Sequence, residues 1–271
     1  MGAARLSLAL LALCVALPAR AGCDGDWQPL FNGRDLDGWT AKIRGYPAGE
    51  NFADTFRVED GLLTVSYDGY DRFDERFGHL FYARPFSHYR LRVEYRFVAE
   101  PAPGAPAWAW RNSGAMLHAQ SPGSMRRDQD FPISLELQFL GGLEPGVARP
   151  TGNLCTPGTH VVIGGQRVEQ HCIEAAAPTV YGDEWVLAEA LVLGDERIVH
   201  YVGGEAVLEY ARPTTGGGVV SGHDESLLRA GARLPGGFIA LQSEGHPIQF
   251  RRVELVDLGD CPSGLEAPAG R

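Results

Sequence analysis

Apolar and polar residues alternate with a period of two along most of the chain. In FPISLELQFLGG, residues 131–142, Leu135, Leu137 and Phe139 fall on one side while Ser134, Glu136 and Gln138 fall on the other. This is the pattern of a strand with two unlike faces. Similar segments recur at 55–66, 80–83, 89–98, 113–120, 133–140, 184–193, 198–202, 206–210, 238–243 and 248–258, separated by clusters of Gly, Pro, Asn and Asp. No helical period stands out beyond the first 21 residues, and 35 Gly with 18 Pro suit a strand-and-loop protein. The pattern predicts an all-β fold, a sandwich or jelly roll of two packed antiparallel sheets. Five connections are long, at 41–54, 100–111, 121–131, 141–184 and 213–237. Loops of that size in a compact domain usually carry function.

The first residues depart from this pattern. MGAARLSLALLALCVALPARA has a basic Arg5, an apolar run over 6–17 and the small-residue pattern Ala19-Arg20-Ala21, the marks of a secretory signal peptide. Three segments follow: a signal at 1–21, a single domain at 22–260 and a tail at 261–271 expected to be disordered. The apolar run, about a dozen residues, falls short of the ~20 that span a bilayer. An exported protein, periplasmic or secreted, with no integral membrane segment is therefore expected. A lipid anchor at Cys23 is the second reading, against which Arg20 stands where a lipobox carries an aliphatic residue.

The formal charge of −10 becomes −12 when Arg5 and Arg20 leave with the signal. Such a chain lacks the clustered basic surface that a nucleic acid requires. Lys42 is its one lysine, so Schiff-base chemistry has a single candidate. Four cysteines remain in the mature chain, Cys23, Cys155, Cys172 and Cys261. In an exported protein they predict two disulfides. Cys155 and Cys172 flank one turn-rich insertion and Cys23 and Cys261 lie at the two ends, so each set is expected to pair within itself. A zinc site from Cys155, His160, His171 and Cys172 is the rival; its spacing matches no standard finger.

Two more segments extend the polar face. Residues 111–120 place Gly114, Met116, His118 and Gln120 on one side, and 89–97 place Arg90, Arg92, Glu94 and Arg96 on one side. The arginine row serves equally well as a solvated outer face. His118, Glu136 and Gln138 are central in strand order, and the neighbouring loops are long enough to roof them. Those loops bring Trp108 and Trp110, which either stack on a sugar ring or anchor a loop. They also bring Asp128 and Asp130, either a hard-cation site or a solvated turn. His160 lies inside the Cys155–Cys172 loop, and Glu244 and His246 follow a strand end at the expected cleft mouth. For His246 a loop hydrogen bond, for Arg251 an ion pair and for His200 a satisfied strand position are the plainer readings.

LFNGRDLDGW at 30–39, VEDGLL at 58–63, NSGAMLH at 112–118, LELQ at 135–138, TGNLCTPGTH at 151–160, EWV at 184–186, HYVGGEAVLEY at 200–210 and GGFIALQSEGHPIQFRRVEL at 236–255 occur in this order. Together they resemble the 3-keto-disaccharide hydrolase family across nearly all of 27–258. The resemblance implies a concanavalin-like jelly roll with long loops over one concave face. It also implies cleavage of glycosides already oxidised to the ketone at sugar carbon 3. Gly203 stands where the family has an Asn in its hairpin turn, and His118 stands where many relatives carry Arg.

A conventional glycosidase needs two carboxyl groups about the bond, whereas the row Ser134, Glu136, Gln138 offers one. A 3-keto sugar needs less. The ketone acidifies the carbon 2 proton, so a base, an enolate stabiliser and a proton donor suffice for elimination at carbon 1, and water then adds to the enone. His118 or Glu136 is the expected base. Asn112, Gln138 or an Arg could hold the enolate oxygen; Trp108, Trp110, His160 and Glu244 complete the expected substrate-binding set. No cofactor is required, although a divalent cation could replace the Arg. The expected partner is a small carbohydrate. The competing reading is a carbohydrate-binding module without turnover, built on the same polar face and the two tryptophans.

Overall fold

Alternation becomes strand wherever one side of a segment can be buried. The structure, a computed structural model, describes residues 25–259; the signal, Cys23, Cys261 and the tail lie outside the described residues. Its strands in chain order are β1 (Gln28–Pro29), β2 (Trp39–Ile43), β3 (Phe56–Glu59), β4 (Leu62–Val65), β5 (Gly78–Tyr82), β6 (His88–Phe97), β7 (Asn112–Ala119), β8 (Leu135–Leu140) and β9 (Asn153–Cys155). There follow β10 (Thr159–Ile163), β11 (Gln166–Val168), β12 (Cys172–Ile173), β13 (Val186–Leu193), β14 (Arg197–Val202), β15 (Glu205–Thr215), β16 (Phe238–Ser243) and β17 (Ile248–Asp257). They form two antiparallel sheets. A ten-stranded sheet runs β11-β10-β15-β14-β13-β6-β17-β4-β3 with β1 beside β17, and a seven-stranded sheet runs β12-β9-β8-β7-β16-β5-β2. This is a jelly-roll sandwich. Helix among the described residues is confined to short 3₁₀ turns such as Ala107–Ala109 and Pro122–Ser124.

The core lies between the sheets. Tyr89, Leu91, Val93, Tyr95 and Phe97 from β6 meet Ala115, Leu117, Leu135, Leu137 and Phe139 from β7 and β8 in one apolar cluster. Tyr95 stacks on Phe139 with ring centroids 4.3 Å apart. Burial of this kind contributes roughly 25 cal/mol per Å² of apolar surface, and it fixes register, because a one-residue slip would turn every side chain over. Arg90, Arg92 and Arg96 consequently face away from the core on the outer side of the ten-stranded sheet. Arg92 pairs with Glu254 and lies over Trp27, Arg96 donates to Gln249, and Arg251 pairs with Glu94. The arginine row is thus on the opposite sheet from Glu136, a solvated face with no part in the cleft.

Three features differ from the sequence expectation. The segment 55–66 is two strands joined at Asp60-Gly61, and the insertion at 141–184 contains β9, β10, β11 and β12. At the end of β7 the pairing with β16 shifts: Phe238 opposes Ala119 but Ala240 opposes Met116. Two residues, Leu117 and His118, therefore oppose one, Ile239, which defines a β-bulge. His118 sits at the bulge with φ of 50°. Gly237 permits the close backbone approach there, since a Cβ on it would lie 2.4 Å from the His118 carbonyl carbon.

Cys155 and Cys172 form a disulfide across the paired strands β9 and β12. The sulfurs are bonded to each other, which sets aside the zinc reading. Replacing both cysteines with serine is expected to cost about 3 kcal/mol, since the bond closes a loop between residues 17 apart in sequence that is released in the unfolded chain. Chemical denaturation of the double variant against the parent checks this; an unchanged midpoint would contradict it.

Candidate active site

The outer face of the seven-stranded sheet is covered by loops, and between them opens a cavity of about 400 Å³. Its floor comes from the polar side of β8 and its neighbours. Glu136 and Gln138 line it from β8, Asn112 from the start of β7, and the Cys155–Cys172 pair from β9 and β12. Glu244, one residue past β16, reaches the same space, as do Trp108, Phe131, Arg149, His171 and Val219 from the loops.

Glu136 is placed by the absence of a side chain beside it. A Cβ on Gly114 would stand 2.6 Å from Glu136 Oε1 and 2.7 Å from its Cγ, so the carboxyl group leans over the bare backbone of β7. It is only 6% exposed and Oε1 has no hydrogen-bond partner. Burial raises its carboxyl to about 8, since a low-dielectric site disfavours the charged form. Glu244 is 5% exposed, with Oε2 unpartnered. Burial pushes it well above the carboxylate range, the nearby Glu136 pushes it further, and Arg149 opposes this. The sequence row showed one acid; the turn after β16 supplies the second.

Around the acids the polar groups are already committed to one another. Asn153 Nδ2 donates to Gln138 Oε1 at 3.1 Å, Gln138 Nε2 donates to Asn112 Oδ1 at 3.2 Å, and Asn112 Nδ2 makes a longer 3.4 Å contact to the Trp108 carbonyl. This chain orients the amides and leaves the Asn112 amide least tightly held. Arg149 donates to the carbonyls of Arg111 at 3.0 Å, Gly141 at 2.6 Å and Trp108 at 3.3 Å. It ties its own loop to the end of β8 and to the 107–111 segment, and sets a positive charge at the cleft. Trp108 packs on Phe77 with centroids 5.8 Å apart and remains 53% exposed.

Several expected site residues lie elsewhere. His118 is fully buried and faces the core: its ring meets Tyr89 edge-on, and Nε2 lies 3.0 Å from the Gly194 carbonyl. The bulge turned it over, so it is on the strand next to Glu136 but on the other face, and it is not available as a base. Trp110 is an exposed rim residue outside the cavity lining. His160 stands on β10 in the other sheet, opposite Thr214. Asp130 is no cation site, because Oδ1 accepts from the backbone of Phe131 and Ser221 and Oδ2 from Ser221 Oγ at 2.6 Å. Asp128 faces a separate surface hollow with Arg44, Arg76 and Arg127. His200 is satisfied by Gly152 O and Tyr210 OH, while His246 packs against Phe97 with neither ring nitrogen partnered, so the expected loop bond is not formed. Arg149 and Phe131 were not singled out from sequence; each sits in a loop with no period to mark it.

A family model described as 3-keto-alpha-glucoside-1,2-lyase-like domain matches residues 26–256. Among solved structures, a provisionally assigned glycosyl hydrolase from Parabacteroides distasonis ATCC 8503 superposes with a TM-score of 0.52 at 18% identity, over 86% of this chain and 94% of that one. A second structure of the same description and strain has the same score and identity, over 86% of this chain and 100% of that one. A Bacillus subtilis protein of unknown function with a galectin-like fold has a TM-score of 0.48 at 12% identity, over 85% and 97% of the two chains. At 18% identity the likeness shows the fold alone. No curated protein sequence matches the chain.

Proposed function

The chain belongs to the 3-keto-alpha-glucoside-1,2-lyase-like domain family, and from that premise we propose that it cleaves 3-keto-glycosides by elimination between carbons 1 and 2 followed by hydration. The observation that carries this reading is the pair of buried carboxyl groups, Glu136 and Glu244, facing one cavity. Elimination needs one base and one acid, and two coupled carboxyls lose their protons in separate steps. The base is assigned to Glu136, whose carboxyl leans over the bare backbone of Gly114 and ionises near about 8, and it takes the carbon 2 proton. Glu244 stays protonated and gives its proton to the departing glycosidic oxygen. The electron pair from the carbon 2–hydrogen bond passes to the ketone oxygen as an enolate, then expels the leaving group from carbon 1. The Asn112 amide and the Arg149 charge are the groups placed to hold that oxygen. Water then adds at carbon 1 of the enone and a proton returns to carbon 2.

A buried acid pair at the floor of a concave cleft supports an enzyme over a binding module, which would need only an open aromatic platform. The pattern of residues 1–21 and the Cys155–Cys172 disulfide support action outside the cytoplasm. The test is turnover of plain and 3-keto glycosides in heavy water. Elimination and rehydration should leave deuterium at carbon 2 of the product, whereas direct displacement at carbon 1 by the same two acids would leave it protonated. An active enzyme whose product carries no label would sink the elimination, and inactivity on every keto-glycoside would leave the module.

A further inference from the structure

One row of side chains crosses the loop-covered face without entering the cleft. Lys42 on β2 pairs with His79 on β5, and His79 pairs with Gln242 on β16. Leu241 pairs with Ala115, so Gln242 stands beside Gly114, over which the Glu136 carboxyl leans. The row therefore leads to the reacting acid. Its members are shut off from solvent: Lys42 is 1% exposed, His79 and Gln242 0%. Lys42 is satisfied, donating to the carbonyls of Ile43 at 3.1 Å and Arg127 at 3.0 Å. His79 and Gln242 are not. Neither ring nitrogen of His79 and neither amide atom of Gln242 has a hydrogen-bond partner, where folded proteins pair nearly all such groups.

Phe131 touches both the His79 ring and the cleft. Its ring meets His79 edge-on at 5.9 Å and leans on Phe77 at 4.9 Å, and it also lines the cavity. It is only partly buried and is carried by the 121–134 loop, not by a strand. Burial lowers the His79 imidazole to about 3, and Lys42 pushes the same way. The ring is thus neutral, with one donor and one acceptor, and Gln242 offers the same combination. Neutral donor and acceptor pairs with no acid between them, beside an ammonium group, do not suit a metal ion. They suit a polyhydroxylated neutral ligand.

We infer that His79 and Gln242 form a second binding compartment, continuous with the Glu136 cleft and closed by Phe131, that takes adjacent hydroxyl groups of a pyranose ring. The inference rests on the sugar reading of the cleft. Displacement of Phe131 by the sugar would open the compartment and leave an aromatic face to lie against the ring.

The probes are glucose and 3-keto-glucose, neither of which carries a leaving sugar, titrated by calorimetry into the parent protein, His79→Leu, Gln242→Met and Phe131→Ala. His79→Leu and Gln242→Met should melt at or above the parent temperature, because an orphaned polar group is gone. Their dissociation constants should rise by about tenfold or more, the loss expected for hydrogen bonds made only to the ligand. Phe131→Ala keeps both groups and removes their cover, so diethyl pyrocarbonate should reach His79 there, and either sugar should protect it. Lower melting temperatures with unchanged sugar affinity would make both residues structural and overturn the compartment. Absence of sugar binding to the parent, or no protection in Phe131→Ala, would overturn it as well. Turnover of keto-glycosides with unchanged KM in His79→Leu would remove the compartment and leave the proposed reaction standing. Sugar binding that depends on His79, in a protein that turns nothing over, would do the reverse.

Discussion

Glu136→Gln is expected to lower turnover of a 3-keto-glycoside by about 100-fold to 10,000-fold, the usual worth of a positioned general base. Gln keeps the shape and volume of the side chain over Gly114 but cannot take a proton. In the parent, the rate should rise with pH as Glu136 ionises near about 8, and fall again where Glu244, itself held well above the carboxylate range by burial, gives up its proton. Stability should move the other way. The folded carboxyl of Glu136 is raised above its unfolded value, so its contribution is fully present below about pH 4 and is lost as pH rises through about 8. Glu136→Gln stays neutral and should lack that share of the alkaline loss. Melting curves and kcat/KM measured across pH 4–10 check both limbs. A parent whose activity is flat between pH 6 and 9 would remove Glu136 from the role of base.

Gly114→Ala should inactivate the enzyme while leaving it folded. The added Cβ would stand 2.6 Å from Glu136 Oε1, so the carboxyl must move aside by a substantial fraction of an ångström. A displacement of about 1 Å at a reacting group can cost on the order of 100-fold in rate. Overpacking of this size costs about 1–3 kcal/mol, partly offset by the better strand propensity of Ala over Gly. The measurement is kcat beside the denaturation midpoint. Near-parental turnover would mean that the carboxyl position above Gly114 is not the productive one.

Gly114 also shows where the sequence could be read and where it could not. Parity alone put Glu136 and Gln138 on one face, because β8 is regular and its apolar side is fixed by the core. The same count failed for His118, four residues along from Gly114, since the bulge at 117–118 adds one residue to β7 and turns the side chain into the core. A bulge has no period of its own; the hint was the Gly236-Gly237 pair just before the facing strand β16. Glu244 and Arg149 come from a turn and a loop, whose positions depend on contacts distant in sequence. Alternation left the arginine row open, because it gives a strand two faces without saying which sheet the strand joins. The jelly roll was legible for the opposite reason: nearly every strand has one apolar side to bury.

The rim of the cleft is fastened unequally on its two sides. On one, the Arg149 guanidinium bonds three backbone carbonyls, two from the 107–111 segment and one at the end of β8, a planar fork that lysine cannot reproduce. On the other, the Phe131 turn is joined to the 216–237 loop through the Asp130 carboxylate and Ser221. For directed evolution of substrate range the sides are therefore unequal starting points. Libraries that vary residues around Arg149 will mostly yield collapsed rims, whereas grafted 216–237 loops that retain a serine to meet Asp130 can change the cleft wall at Val219 without disturbing the acids beneath it.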